Sequence, residues 1–262
     1  LICGLPLAAA LLLAMFFLAP SVFTGWLMGL AQPAAQKGAL DWYPLSPALF
    51  QLALIMAIAT ITVMLYLLSS AEGMQYVDTL INQTMAALRD SSLYSAQQQH
   101  EIEKSLRGGF LQLLAAALAV YGFFFQVGNL YFSMSLAKKL KLLRRPADNW
   151  PAALRMPPAA IVLFAVLAVM NLFAINKTLA ICADVIIAAL SAGFLIAGLA
   201  FIHHATRGRK WRPVVLSILY ACLFSIVLTP FFILGLVIIG VITAPLSMHR
   251  HNKNKPPHSK SF

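Results

Sequence analysis

The sequence predicts an all-α polytopic membrane protein. The fold is a bundle of about seven transmembrane helices, six if residues 214–248 make one kinked span, with an extracytoplasmic helical insert. Three observations carry this. The 262-residue chain is 61% hydrophobic and 10% charged, against about 25% charged residues in ordinary soluble domains. Apolar runs of about 18 or more residues recur, each long enough to cross about 30 Å of hydrocarbon. The polar residues gather in a few segments between those runs. A net charge of +11 in such a chain marks cytoplasmic loops, and no nucleic-acid partner is expected.

The spans follow in order. The first runs from about Leu5 to Ala31 with a bend near Pro20, and the second from about Ser46 to Leu68. The segment 69–108 is the insert. Met74, Val77, Leu80, Ile81, Met85 and Leu88 share one helical face, and Ile102 and Leu106 make a second stripe beyond a break at Asp90-Ser91-Ser92. This insert is expected to lie on the outer membrane surface or to cap the bundle. The third span runs from about Gly109 to Ala137, the fourth from Ala159 to Ile175, and the fifth from Leu179 to Ile202.

The remaining apolar stretch, Val214 to Met248, would be about 50 Å long as one helix, too long for one crossing. Pro230 interrupts it by removing a backbone donor and restricting Thr229. Charge decides between a kinked span and a hairpin of two short spans. The turn before it carries Arg207, Arg209, Lys210 and Arg212, and the tail carries Arg250, Lys253, Lys255 and Lys260. Both are expected in the cytoplasm, which needs an even number of crossings and selects the hairpin. Residues 1–248 then form one transmembrane domain, and 249–262 a basic, disordered cytoplasmic tail.

The same rule places Lys138, Lys139, Lys141, Arg144, Arg145 and Arg155 in a cytoplasmic loop, with Lys37 on that side. Fourteen of the nineteen Lys and Arg residues fall in the three C-terminal cationic segments, whereas Glu72, Asp78, Asp90, Glu101 and Glu103 outnumber the cations of the insert. The expected location is a plasma membrane, with the C-terminus cytoplasmic. Arg207, Arg209, Lys210 and Arg212, with Lys138, Lys139, Lys141, Arg144 and Arg145, are expected to set topology and to meet anionic lipid headgroups. The chain begins inside an apolar run without a methionine, so upstream residues are expected.

Two stretches carry a family resemblance: NLYFSMSLAKKLKLLRRPADNWPAALRMP (Asn129 to Pro157) and AGLAFIHHATRGRKWRPVVLSILY (Ala197 to Tyr220). With the loop LAQPAAQKGALDWYPLSP (Leu30 to Pro47), they resemble the signature regions of a bacterial membrane family. That family is catalogued as domain of unknown function 2232 and called YybS-like. The C-terminus VITAPLSMHRHNKNK departs from it in lacking an acidic residue before its final basic residues. The resemblance implies a bacterial inner-membrane protein without an established activity. It also implies a distant, fold-level similarity to S components of energy-coupling factor transporters and to the rod-shape protein MreD.

Ionisable residues inside spans are costly and raise functional hypotheses. Asp184 sits just over one turn inside the outer end of the fifth span. With Asn171, Asn176 and Lys177 it makes the candidate ligand site beneath the insert. The alternatives are a carboxylate that reaches the interface or pairs with Lys177, and amides that join helices. Gln126 and Asn129 are further intramembrane amides. Ala189, Gly193 and Ala197 recur every four residues and predict a helix-packing face.

Adjacent His203 and His204 point about 100° apart on a helix and do not make a metal pair. Cys3, Cys182 and Cys222 show no paired spacing. No metal or cofactor is expected. No Walker lysine motif, nucleophile elbow or zinc-protease motif is present, so the chain reads as a non-enzyme. Any ATP-driven activity would need an ATP-binding partner or another membrane subunit. Two readings stand: a vitamin-like small-molecule binding or transport subunit, and a scaffold recruiting partners through its basic face.

Overall fold

The computed structural model describes residues 7–33, 40–90, 95–146, 148–173, 176–225 and 228–245. The expectations for Cys3, Lys37 and the tail 249–262 fall outside them. The chain is a polytopic helical membrane protein. Helices α1 (Leu7–Gly29) and α2 (Leu45–Ser69) come first, followed by α3 (Ala71–Asp90) and the 44-residue α4 (Ala96–Lys139). Next come α5 (Trp150–Ala153), α6 (Pro158–Leu172), α7 (Lys177–Ala205), α8 (Arg212–Phe224) and α9 (Thr229–Thr243). Long apolar runs become helices because lipid leaves the backbone no other hydrogen-bond partner. Four of these helices are long and apolar enough to cross a membrane, namely α1, α2, α4 and α7, while α6, α8 and α9 are shorter.

A feature with no periodic signal in the sequence joins α1 to α2. Strands β1 (Ala31–Pro33) and β2 (Leu40–Trp42) pair antiparallel, Ala31 opposite Trp42 and Pro33 opposite Leu40. Three residues per strand are too few to show a period-two pattern.

The insert is a helical hairpin continuous with the third span. Ser95 caps α4 in a reciprocal capping box with Gln98, and the helix then runs unbroken into the membrane-spanning part. Val77, Ile81 and Met85 of α3 are buried against Ile102, Leu106 and Phe110 of α4. The two expected stripes therefore pack against each other. Arg107 binds Asn82 (3.1 Å) and Glu103 (3.0 Å), and Arg89 binds Glu103 (3.3 Å). The Arg107–Asn82 and Arg89–Glu103 contacts join the two antiparallel helices, while Arg107–Glu103 lies within α4.

Helix α7 is the central post, with α2, α4, α6 and α9 packed around it. Ala189, Gly193 and Ala197 are buried, with Gly193 facing the Met156 thioether. The tightest seam, however, lies one residue along from that stripe. A Cβ on Gly198 would stand 3.0 Å from the Leu236 carbonyl carbon, and one on Gly240 would stand 2.7 Å from that of Phe194. Backbones approach this closely only where small residues permit it. The two pairs run in opposite order, so α9 is antiparallel to α7. One further turn sets fully buried Ala244 opposite buried Leu190, at mid-height of α7.

This direction corrects the expected C-terminal hairpin, whose second arm would return parallel to α7. The chain does break near Pro230, which sits in the first turn of α9, but α8 does not make a crossing. More than halfway along its length it is still beside the end of α7, where Tyr220 meets His203 at 2.8 Å. Its last carbonyls receive the Thr229 hydroxyl, Leu223 at 2.8 Å and Ser225 at 2.6 Å. The α7–α9 register brings Thr229 back to the level of Ala205, so both ends of α8 lie near one end of the bundle. Charge counts constrain which loops share a side, not whether a 13-residue helix crosses or lies across the bundle.

Pro20 sits buried inside α1 and leaves the Phe16 carbonyl without its intrahelical donor. Gln126, 2% exposed, meets this loosened turn. It donates to the Phe17 carbonyl (2.8 Å) and accepts from the Ser21 hydroxyl (2.6 Å). An intramembrane amide thus ties α1 to α4.

Candidate functional site

The two signature stretches meet in space. Asn129 to Pro157 carries the end of α4, the following loop and α5, and Ala197 to Tyr220 carries the end of α7 and the start of α8. Between them lies a cleft of about 440 Å³ at the cationic end of the bundle. Lys138, His203, Arg207 and Arg212 supply its polar walls, and Tyr131 and Trp150 its aromatic ones. The two rings meet edge to face, centroids 5.0 Å apart, an arrangement favoured by the ring quadrupoles.

Local chemistry places each group. Lys138 is exposed in the last turn of α4, where a cation complements the helix dipole. The chain then leaves α4 through Lys141, whose φ of 57° is left-handed. Leu142 N–H donates to the Ala137 carbonyl (2.9 Å) and Lys141 N–H to that of Lys138 (3.0 Å). That is a Schellman ending with lysine where glycine is usual. On the facing side α7 ends at Thr206, whose hydroxyl donates to the Ile202 carbonyl (2.8 Å). Gly208, at φ 79°, lets the turn present Arg207 and Arg212 to the same space.

Asp148 lines the cleft but adds no free negative charge. Arg145 holds it in a two-pronged ion pair, Nε to Oδ2 at 2.8 Å and an Nη to Oδ1 at 3.0 Å. The other Arg145 Nη donates to the carbonyls of Tyr43 (2.8 Å) and Met28 (3.4 Å). At 5% exposure, Arg145 is a strut between this loop and the α1–α2 hairpin. That corrects the expectation that it meets lipid headgroups, since its donors are engaged inside the protein. Arg155 is comparable: it lies over the Phe201 ring (5.5 Å) and donates to the Leu154 carbonyl (2.6 Å).

The net charge of the cleft is therefore positive. Arg212 is half-buried and its Nε is buried without a hydrogen-bond partner, as is His204 Nδ1. An unmade hydrogen bond on a buried charged group is costly, so the Arg212 Nε–H favours an acceptor. Lys139, Lys141, Arg144, Arg209 and Lys210 are exposed around the same end. Among the described residues no three His, Cys, Asp or Glu side chains gather as metal ligands.

The residues around Asp184 are arranged differently from the expected pocket. Asn171 donates to Asp184 Oδ1 at 2.6 Å, and Gln112 of α4 donates to Oδ2. Both carboxylate oxygens are taken, and the trio braces α4, α6 and α7 together. Asn176 is exposed and caps α7 by accepting from Thr178 N–H (2.8 Å), so it does not join them. Lys177 opens α7, and its side chain falls outside the described residues. Sequence reasoning missed Gln112, which stands three residues inside the third span, and it missed the pairing of the two signature stretches. The second had a legible signal, since both stretches were assigned to the same side.

A family model described as "Predicted membrane protein (DUF2232)" matches residues 1–242. No curated protein and no solved structure matches the chain.

Proposed function

The chain belongs to the DUF2232 family of predicted membrane proteins, and from that premise we propose that it is a membrane-embedded binding subunit that takes an anionic small molecule at its cationic end. One observation carries the reading: Lys138, Arg207 and Arg212 converge from two distant segments on a cleft in which the Arg212 Nε has no partner. Phosphate or carboxylate groups suit a guanidinium-rich cleft, and Tyr131 and Trp150 suit a planar ring beside them. Excess Lys and Arg favour the cytoplasm for this end, in a bacterial inner membrane. Vitamin-like cofactors and their phosphates have this chemistry. Carrying such a ligand across the membrane is the transport-subunit form of the proposal, and it requires an ATP-hydrolysing partner.

A scaffold role is the second reading. It rests on Lys139, Arg209, Lys210 and Trp211, which are exposed at the same end.

Binding is tested with the protein in neutral phosphatidylcholine nanodiscs, by calorimetry against inorganic phosphate, pyrophosphate, citrate and pyridoxal phosphate. At least one should bind, and Arg212→Gln or Arg207→Gln should weaken it about tenfold through loss of a charge-assisted hydrogen bond. Asp184→Asn should leave that affinity unchanged. Absence of binding by all four anions, or binding indifferent to Arg212→Gln, overturns the proposal.

A further inference from the structure

On the adjoining face of α4, next to the cleft, lies a groove of about 350 Å³ between α1 and α4. Met28 lines it from α1, and Leu130, Met134 and Ala137 from α4. Gly25 and Gly29 of α1 line it and leave room there, since a Cβ on either would meet nothing within 4 Å. The α1–α4 seam is thus closed at Gln126 and open one to two turns nearer the cationic end. Trp42 and Leu143 flank that end, and Arg144 stands at its mouth.

Arg144 and Arg145 differ in a way that matters here. Arg145 is saturated by Asp148 and two carbonyls. Arg144 is exposed, and among the described residues it makes no ion pair. Asp41, the acid nearest in sequence to Trp42, projects to the opposite face of its strand. The groove therefore has an apolar floor and an unneutralised guanidinium beside the C-terminal ends of α1 and α4. A tryptophan beside it is typical of the headgroup layer.

We propose that this groove is a binding site for an anionic phospholipid, with one acyl chain laid against Gly25 and Gly29 and the phosphate on Arg144. Neighbouring apolar side chains alone would make ordinary lipid contact. The room left at the two glycines and the uncompensated charge at the mouth select one chain and one headgroup sign. The site is independent of the anion cleft, from which Met134 and Leu143 divide it.

The experiment is native mass spectrometry of delipidated protein titrated with phosphatidylglycerol and with phosphatidylcholine of identical chains. Wild type should retain phosphatidylglycerol about tenfold better, the effect of one charge-assisted contact. Arg144→Gln should erase that preference while weak binding of both lipids persists. Gly29→Leu should abolish retention of both, and Ser133→Phe, which fills the groove from the α4 wall, should do the same if Gly29→Leu fails to fold. Glycerophosphoglycerol, the headgroup without chains, should not displace the lipid at equal concentration. A preference unchanged in Arg144→Gln, retention that survives both filling variants, or displacement by the chainless headgroup overturns the proposal. Arg212→Gln should leave lipid retention intact, which separates failure here from failure of the cleft.

Discussion

Two glycines of α9, Gly240 and Gly235, should answer the same substitution with opposite sign, because only the first faces the α7 seam. A Cβ at Gly240 would stand 2.7 Å from the Phe194 carbonyl carbon and 2.9 Å from its Cα, where carbon contacts are optimal at about 3.5–4.0 Å. To admit an alanine there, α9 must retreat by about 1 Å, which forfeits about a quarter to a half of each dispersion contact along the seam. Overpacking of this kind costs about 1–3 kcal/mol. Alanine offsets part of that, being the better helix former by about 1 kcal/mol. Gly240→Ala and Gly198→Ala should each destabilise the protein by about 1 kcal/mol net. The double variant should cost less than the sum, because the helices separate only once. A Cβ at Gly235 would meet nothing within 4 Å, and Gly235→Ala should stabilise by up to about 1 kcal/mol. Steric trapping or SDS titration in micelles, read by far-ultraviolet dichroism, measures all four. If Gly240→Ala proves as stable as Gly235→Ala, the close α7–α9 approach is not present in the protein.

The direction of α9 can be read by cysteine cross-linking in a background lacking native cysteines. The pairs 190/244 and 202/232 should cross-link and 202/244 should not, whereas the reverse result restores a parallel second arm. Arg145→Gln strands Asp148 and two carbonyls, and removal of one partner of a buried ion pair should cost about 3 kcal/mol. A double-mutant cycle with Asp148→Asn should recover part of that, and additive losses would show that the two are not coupled. Lys141 carries a left-handed backbone penalty of about 1 kcal/mol, so Lys141→Gly should raise the melting temperature and Lys141→Val lower it. Equal melting for the two would exclude the Schellman ending.

Much of this protein was readable residue by residue, and the exceptions share one cause. The starts of α2, α6 and α7 lie within two residues of their expected positions, because each run of apolar residues is bounded by Pro, Asn or Ser. The insert stripe of Val77, Ile81 and Met85 was legible as a buried face, but its partner, Ile102 and Leu106, was not recognised as the thing that buries it. Asp184 was legible as an intramembrane acid. That its oxygens go to Gln112 and Asn171 depends on how α4, α6 and α7 are placed laterally. Arg144 and Arg145 are adjacent and chemically identical, yet one is exposed and the other buried.

The sequence alone determined the membrane class and the helical segments. These are set by transfer of each segment between water and lipid, a local property in which every residue contributes independently of its neighbours in space. Tertiary structure decided the direction of α9, the internal use of Arg145 and the meeting of the two signature stretches around the cleft. Inside lipid a core-facing leucine and a lipid-facing leucine are equally apolar, so hydropathy carries no record of which helices are neighbours. Register and lateral placement come from close packing, at Gly198 and Gly240 above all, and only the folded bundle displays it.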